Sequence, residues 1–286
     1  MFLLKDTLQI EKLVEEGTQY PITGIKLTIE DGPHPPWVER MPQAFINKVQ
    51  KEAAKSGTEV FAHVSDNIEL EMALDAGIEN FVHWTGVDID FDRDTALLEK
   101  IYEVQPDWIT TLMIDKGFIF PLFPEWVEKV RAENVYEEKR IDLAYDSSYL
   151  EMAQRYFDFM KEYLQEDDLT LDKIVRFQVE DIKKLQANGI NFALGTDIST
   201  FVFPGYGLHE EMELFQLGGM EPLAIIKMAT HNAAKMMHAA DSLGTIEPGK
   251  LADMILLNTN PILDIKNTLD IHKVFKNGRL QNNREL

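Results

Sequence analysis

The sequence predicts an α/β fold built around a parallel sheet, because short apolar segments alternate with segments of helical periodicity. Five of the apolar segments are predicted strands, at 22–29, 59–64, 80–84, 108–114 and 190–196. No glycine-rich phosphate loop follows any of these strands, so a nucleotide-binding sheet has no support. An open doubly wound sheet and a (β/α) barrel both agree with this pattern, and in both the functional groups lie at the carboxyl ends of the strands.

The helices between the strands are predicted from apolar residues that recur at intervals of three and four. One helix precedes the first strand, over 3–16, and another carries apolar residues between Val38 and Ala53. The first strand, ITGIKLTI, ends at a proline-rich loop, EDGPHPP. Asp66 is followed three residues later by Glu69, a spacing that predicts a helix start with a capping box.

The stretch 118–188 interrupts the alternation, and we interpret it as a helical insertion between the fourth and fifth strands. Helices are predicted inside the insertion and after the fifth strand, near 124–139, 147–165, 171–187, 208–216 and 222–238. The end of the chain holds short strands and turn residues, and its Asn277-Gly278 pair predicts a type I′ hairpin. We therefore predict a domain at 1–243 and an all-β segment at 244–286.

Composition excludes several classes of function. The chain of 286 residues carries 49 acidic and 28 basic residues, and a net charge of −21 argues against binding to nucleic acid. Because there is no cysteine, disulfides, cysteine-based zinc sites and a cysteine nucleophile are excluded, and any metal must use His, Asp, Glu or Lys-derived ligands. We expect a cytoplasmic protein, since no signal peptide pattern and no apolar run of about 18 residues are present.

Titratable side chains stand at the ends of several predicted strands. Lys26 lies within the first strand, His63 closes the second, His83 closes the third, and Asp197 follows the fifth. Imidazole and carboxylate groups at one rim of a sheet are the ligands that zinc and its neighbours prefer, and an aspartate there can also carry protons. His209 opens a helix after the fifth strand, near the same rim. Each histidine also has a purely structural interpretation, and spacing alone does not decide between the two.

Three parts of the chain resemble the metal-dependent amidohydrolase superfamily, and within it the imidazolonepropionase-like and prolidase-like branch. They are FAHVSD with ALDAGIENFVHW, then FALGTD, and then the long run from HEEMELFQLGGMEPLAIIKMATHNAAKMM through LGTIEPGKLADMILLNTNPILDIKNT to HKVFKNGRL. The resemblance extends from about residue 20 to residue 280 and is weakest in the insertion. It implies a (β/α)₈ barrel with a small β-sandwich beside it.

The resemblance also implies roles for the strand-end residues. His63 and His83 would be the metal ligands of barrel strands 5 and 6, and Asp197 would be the strand 8 ligand and general base. Lys26 lies where this branch often carries a lysine that is carboxylated to bridge two metals. His209 would contact the substrate. The implied cofactor is a divalent metal, zinc first, as one or two ions.

The chain departs from the family pattern in one respect, because it has no His-x-His pair, which supplies two ligands from barrel strand 1. We therefore expect an incomplete (β/α)₈ barrel with strands 4 to 8 only. The implied function is a metal-dependent hydrolase that uses an activated water to cleave a non-peptide or dipeptide-like amide bond of a small molecule. The alternative is a truncated or non-catalytic relative that acts as a subunit, as a homo-oligomer or with a complementing N-terminal chain.

Overall fold

A computed structural model describes residues 7–30, 39–84, 89–133, 147–197 and 205–281. The predicted proline-rich loop and the end of the helix predicted at 124–139 lie outside these residues. The chain divides into two compact units: Met1–Thr110 with Leu185–Ala193 forms the first, and Thr111–Lys184 with Leu194–Leu286 forms the second. The predicted boundary at residue 243 stays a prediction.

The first unit is built on a five-stranded sheet. Its strands are β1 (Gly24–Thr28), β2 (Glu59–His63), β3 (Asn80–Val82), β4 (Asp107–Thr110) and β5 (Asn191–Leu194). They lie in the order β1-β2-β3-β4-β5, and the first four pair in parallel. A doubly wound sheet reverses its order at a switch point, so the sequential order favours the barrel type of winding. The α/β class with a parallel sheet is confirmed, and the five described strands do not close into a barrel.

Amphipathic helices accompany these strands, namely α1 (Thr7–Thr18), α2 (Gln43–Lys55), α3 (Asn67–Asp75) and α4 (Thr95–Val104). The predicted helix start at Asp66 is confirmed, because its carboxylate accepts a hydrogen bond of 2.8 Å from the backbone N–H of Glu69. The carboxylate of Glu69 accepts instead from the backbone N–H and the hydroxyl of Ser65, at 2.7 and 2.9 Å, whereas a capping box would use the N–H of Asp66.

An aromatic cluster fills the core of the first unit around β4. Trp108 is fully buried, and its ring lies 5.0 Å from Phe81, 5.0 Å from Trp84 and 5.9 Å from Phe192. Edge-on, tilted and stacked pairs at these distances add to the stability that burial of the rings provides. Strands β3, β4 and β5 are thereby fixed to one another directly below their carboxyl ends.

The strand predicted at 108–114 is shorter than expected, because β4 ends at Thr110 and helix α5 (Met113–Ile119) follows. The reason is a long-range cap. The buried carboxylate of Glu211 accepts hydrogen bonds from the backbone N–H groups of Leu112 and Met113, at 3.0 and 2.9 Å. Apolar composition alone does not distinguish this turn from a continuing strand.

The second unit is mostly helical, as the insertion and the following segments predict. Its further helices are α6 (Pro124–Glu133), α7 (Ser147–Leu164), α8 (Leu171–Ala187, which ends in the first unit), α9 (Tyr206–Leu217), α10 (Pro222–Lys227) and α11 (Ala233–Met236). A π-helical turn, Met228–Asn232, joins the last two. None of the described helices in either unit is long and apolar enough to cross a membrane.

A small antiparallel sheet closes the described chain, with strands β6 (Met254–Leu257), β7 (Ile271–Lys276) and β8 (Arg279–Leu280). The predicted type I′ hairpin is confirmed between β7 and β8. Asn277 and Gly278 have φ angles of 51° and 72°, and this turn requires positive φ at both positions.

A matched pair of glycine substitutions tests helix packing. A methyl group on Gly218, which caps α9, would lie 2.5 Å from Cβ of Val179, so Gly218→Ala should lower the free energy of unfolding by about 1–3 kcal/mol. Gly17→Ala, where no atom lies within 4 Å, should raise it by up to about 1 kcal/mol. Urea denaturation measures both, and equal effects at the two positions would contradict the packing described here.

Candidate functional site

The alternation of side chains along β1 places Lys26 and Glu30 on one face of the sheet. They are separated by four residues, with Thr28 between them, and residues two apart in a strand point the same way. Thr28 pairs with His63 in the register of β1 and β2, so the side chain of His63 lies on this face as well. Parallel pairing thus brings an ammonium group, a carboxylate and an imidazole to the carboxyl end of two neighbouring strands.

His83 reaches the same face through an unusual backbone conformation. Val82 pairs with His63 in the register of β2 and β3, so simple alternation would turn His83 to the opposite face. Instead His83 has a φ of 72°, in the left-handed region that few residues other than glycine adopt. Two hydrogen bonds from β4 hold it there: its N–H donates to the carbonyl of Ile109 at 2.9 Å, and the indole N–H of Trp108 donates to its carbonyl at 2.6 Å.

The result is a continuous set of four side chains, which we call the strand-end cluster: Glu30, His63, His83 and Lys26. Oε2 of Glu30 lies 3.0 Å from Nε2 of His63, and the rings of His63 and His83 lie 4.4 Å apart at 66°. Nζ of Lys26 lies 3.0 Å from Nε2 of His83. Three of the five predicted site residues are therefore brought together.

Burial sets the charge state inside the cluster. His83 is 5% exposed, and its pKa is lowered to about 3, first by burial and then by the positive charges of His63 and Lys26. Its imidazole is therefore neutral, and Nε2 accepts a hydrogen bond from the Lys26 ammonium. The hydrogen bond from His63 is the main cause that lowers the pKa of Glu30, against the opposing effect of burial. The cluster therefore offers neutral imidazole and ionised carboxylate.

These donor types fit a divalent metal, because neutral imidazole nitrogen and carboxylate oxygen are the ligands that zinc takes in the absence of cysteine. The number of donors is smaller than a closed site needs. Within the part of the chain that the structure describes, no three His, Asp or Glu side chains are arranged as a group that could hold an ion.

The other two predicted site residues belong to the second unit. Asp197 follows β5, is exposed, and has a positive φ of 41°. His209 lies in α9, and its Nδ1 is 2.8 Å from the hydroxyl of Thr268. Burial lowers the pKa of His209, and the nearby Glu213 opposes that shift.

The pattern of titratable side chains at strand ends did not predict two residues of this region. Glu30 lies two residues beyond β1, and the signal that could have found it is its spacing of four from Lys26, which puts both on one face. Trp108 acts through its indole N–H on the backbone of His83, and its position in an apolar strand gives no sign of this.

The burial of neutral His83 predicts that metal-free protein loses stability on acidification. The unfolded chain binds a proton near pH 6.5 and the folded chain only near pH 3, so stability is complete above about pH 6.5 and falls below it, by up to about 1.4 kcal/mol per pH unit. In EDTA, wild type and His272→Asn, at an exposed histidine, should both show this loss in denaturant titrations. His83→Asn should show a flatter profile, and identical profiles for all three proteins would contradict the assignment.

Comparisons with known proteins identify the family of the chain and solved structures with a similar fold. A family model described as the amidohydrolase family matches residues 6–280. An imidazolonepropionase of Geobacillus kaustophilus is 35% identical over 86 residues, which are 30% of this chain and 20% of that protein. An adenine deaminase of Oceanobacillus iheyensis is 38% identical over 61 residues, 21% of this chain and 9% of that protein.

A crystal structure of a Xaa-Pro dipeptidase with methionine bound in its active site is similar in fold, with a TM-score of 0.68 at 21% identity. The likeness covers 98% of this chain and 59% of that chain, so this chain spans about three fifths of the solved relative and a smaller share of the two curated ones. Because the family model covers nearly all of its residues, the chain belongs to the amidohydrolase family.

Proposed function

We propose that this chain forms the catalytic face of a metal-dependent hydrolase that cleaves a non-peptide or dipeptide-like amide C–N bond. The observation that carries the proposal is the strand-end cluster, in which side chains of three adjacent strands meet at the carboxyl end of the sheet, with 3.0 Å between Lys26 and His83 and 4.4 Å between the rings of His63 and His83. In a (β/α) barrel this is the end that carries catalytic groups.

His63 and His83 would hold a divalent ion, zinc first, and a carboxylated Lys26 could bridge two ions. When bound, such an ion polarises a carbonyl group and makes water more acidic. The neutral state of His83 favours this role, because a protonated imidazole cannot bind a metal. The left-handed backbone at His83 turns its ring toward that of His63, so that the two ring centroids lie 4.4 Å apart.

Asp197 would act as the general base. It would take a proton from the attacking water as the new C–O bond forms, and pass that proton to the leaving nitrogen as the C–N bond breaks. Its exposed carboxylate, immediately after β5, is accessible to solvent and therefore able to exchange protons. His209, held by Thr268, would contact the polar part of the substrate.

The names of the relatives support the proposal that the substrates are small molecules with a C–N bond. An imidazolonepropionase, an adenine deaminase and a Xaa-Pro dipeptidase are among the proteins that this chain resembles. We propose cyclic amides, N-acyl amino acids and dipeptides ending in proline as the first substrates to test. We propose the cytoplasm as the location.

The enzyme hypothesis predicts metal-dependent hydrolysis that requires Asp197. Protein loaded with zinc, cobalt or manganese should hydrolyse at least one of these substrates, measured as amine release. Asp197→Asn should lower kcat by about a hundredfold or more, because it removes the proton acceptor. Asp168→Asn is the matched control, since that carboxylate is 95% exposed in a turn of the insertion.

Measurement of bound metal tests metal binding separately from proton transfer. His63→Ala and His83→Ala should lose bound metal, whereas Asp197→Asn should still bind an ion through the two imidazoles. Wild-type protein that binds no metal and hydrolyses none of the substrates would overturn the enzyme hypothesis.

A second candidate function is that of a subunit that is inactive alone. The small sheet supports it, because every residue of β6, β7 and β8 is half-buried or exposed. A three-stranded sheet normally needs an apolar face packed on another element. Residues 244–281 hold five Lys or Arg and four Asp or Glu, a balance of +1 against −21 for the whole chain, so a second copy could approach there without strong charge repulsion.

The subunit hypothesis predicts association through this sheet. Ile255, 57% exposed on β6, should be required for it, and Ile255→Asp should give monomers where wild type forms dimers in sedimentation velocity runs. Leu223→Asp, at a residue that is 65% exposed on α10, is the control and should leave the dimer intact. A wild-type chain that is monomeric at every concentration and hydrolyses amides alone would exclude the subunit hypothesis.

A further inference from the structure

We infer that two copies of this chain associate by antiparallel strand pairing along the outer edge of β6, with Ile255 at the twofold axis of the pair. The inference deepens the subunit hypothesis and rests on it, because it names the strand edge and the hydrogen bonds through which a second copy would associate. The strands of the small sheet lie in the order β6-β7-β8, so β6 and β8 are its two edges among the described residues.

The two edges differ in how well they resist pairing with another strand. β8 has only two residues, one of which is Arg279, and short or charged edge strands discourage the approach of another strand. β6 has the sequence MILL, which contains neither a charged residue nor a proline. Its register with β7 shifts after Leu256, but the unmatched residue is His272 on β7, so β6 itself stays regular. β6 is therefore the edge that can accept another strand.

The hydrogen bonds of the small sheet identify the backbone groups at the outer edge of β6. The N–H of Gln281 donates to the carbonyl of Val274 at 2.9 Å, so the backbone groups of Val274 face β8. Successive residues of an antiparallel strand face opposite neighbours, so the backbone groups of Phe275 face β6, where Met254 is the partner residue. By the same alternation, the N–H and the C=O of Ile255 point away from β7. The hydrogen bonds of the described residues include none to these two groups.

A second copy of β6 fits this edge because it satisfies both groups at once. In an antiparallel pair centred on Ile255, the N–H of each Ile255 donates to the carbonyl of the other, and the arrangement has the twofold symmetry of an isologous dimer. The side chain of Ile255 is 57% exposed and would gain the other Ile255 as its cross-strand neighbour. The charge of +1 in residues 244–281, against −21 for the whole chain, allows this part of two copies to approach without strong repulsion.

The first experiment removes the outward N–H of Ile255 and follows the dimer of the full-length chain by sedimentation velocity. Ile255→Pro should raise the Kd of the dimer by about tenfold or more, because the pair loses two symmetry-related hydrogen bonds. Proline is tolerated on an edge strand where its position faces solvent, so the three-stranded sheet should remain folded. Ile255→Val is the matched control, since it keeps both the N–H and a β-branched side chain, and it should leave the Kd within about threefold of wild type.

The second experiment uses the absence of cysteine from the chain. Ile255→Cys should form a disulfide-linked dimer when copper phenanthroline is added as oxidant, because residues directly opposite each other in such a pair have Cα atoms about 5.5 Å apart, within the range of a disulfide. Leu280→Cys is the matched control, since it lies on the other edge strand, β8, and is 50% exposed. It should stay monomeric under the same conditions. Cross-linking also decides the matter if circular dichroism shows that Ile255→Pro is unfolded.

The outcomes separate this inference from the hypothesis on which it rests. If wild type forms dimers and Ile255→Pro, while folded, forms them equally well, or if Leu280→Cys cross-links more readily than Ile255→Cys, strand pairing at β6 is wrong and the subunit hypothesis stands. If wild type is monomeric at every concentration, or pairs through β6 only with a different polypeptide, the inference is overturned together with the homodimer. The hydrolase proposal is unaffected by either result, because metal binding and amide hydrolysis test it separately.

Discussion

The left-handed backbone at His83 is the constraint on which the candidate site depends. It costs on the order of 1–3 kcal/mol, and such conformations persist only where neighbouring structure enforces them. Here the enforcement comes from β4, through the carbonyl of Ile109 and the indole N–H of Trp108. The aromatic cluster that buries Trp108 therefore also fixes the position of the His83 imidazole. Packing in the core of the first unit and the geometry of the candidate site thus depend on the same residues.

The sequence predicts this site only in part. Strand alternation and parallel pairing suffice to place Lys26 and His63 together, because both follow from backbone periodicity. His83 is predicted at the correct strand end, yet alternation gives it the wrong face, since its conformation depends on a tertiary hydrogen bond. The predicted end of β4 is wrong for the same kind of reason, because the residue that caps the following turn, Glu211, is about a hundred residues away in the chain.

The donors of the strand-end cluster come from one side of the sheet. Lys26 and Glu30 belong to β1 or its end, which is an outer strand of the described sheet and has β2 as its neighbour there. A further ligand from another polypeptide segment would reach the cluster most directly beside β1. This arrangement relates the two candidate functions, because the same three strands could act alone or as one side of a site completed by an additional segment.

Some of the acidic side chains of this protein have a structural role. Glu69 is fully buried behind β2, where it accepts two hydrogen bonds from Ser65 and lies 3.2 Å from the guanidinium of Arg40. Burial raises the pKa of Glu69, and the hydrogen bonds from Ser65 oppose that shift. In the second unit Glu211 holds two backbone N–H groups after β4 in a similar way. Because such carboxylates supply hydrogen-bond acceptors to turns that leave a strand, part of the negative charge serves to fix the turns that follow β2 and β4.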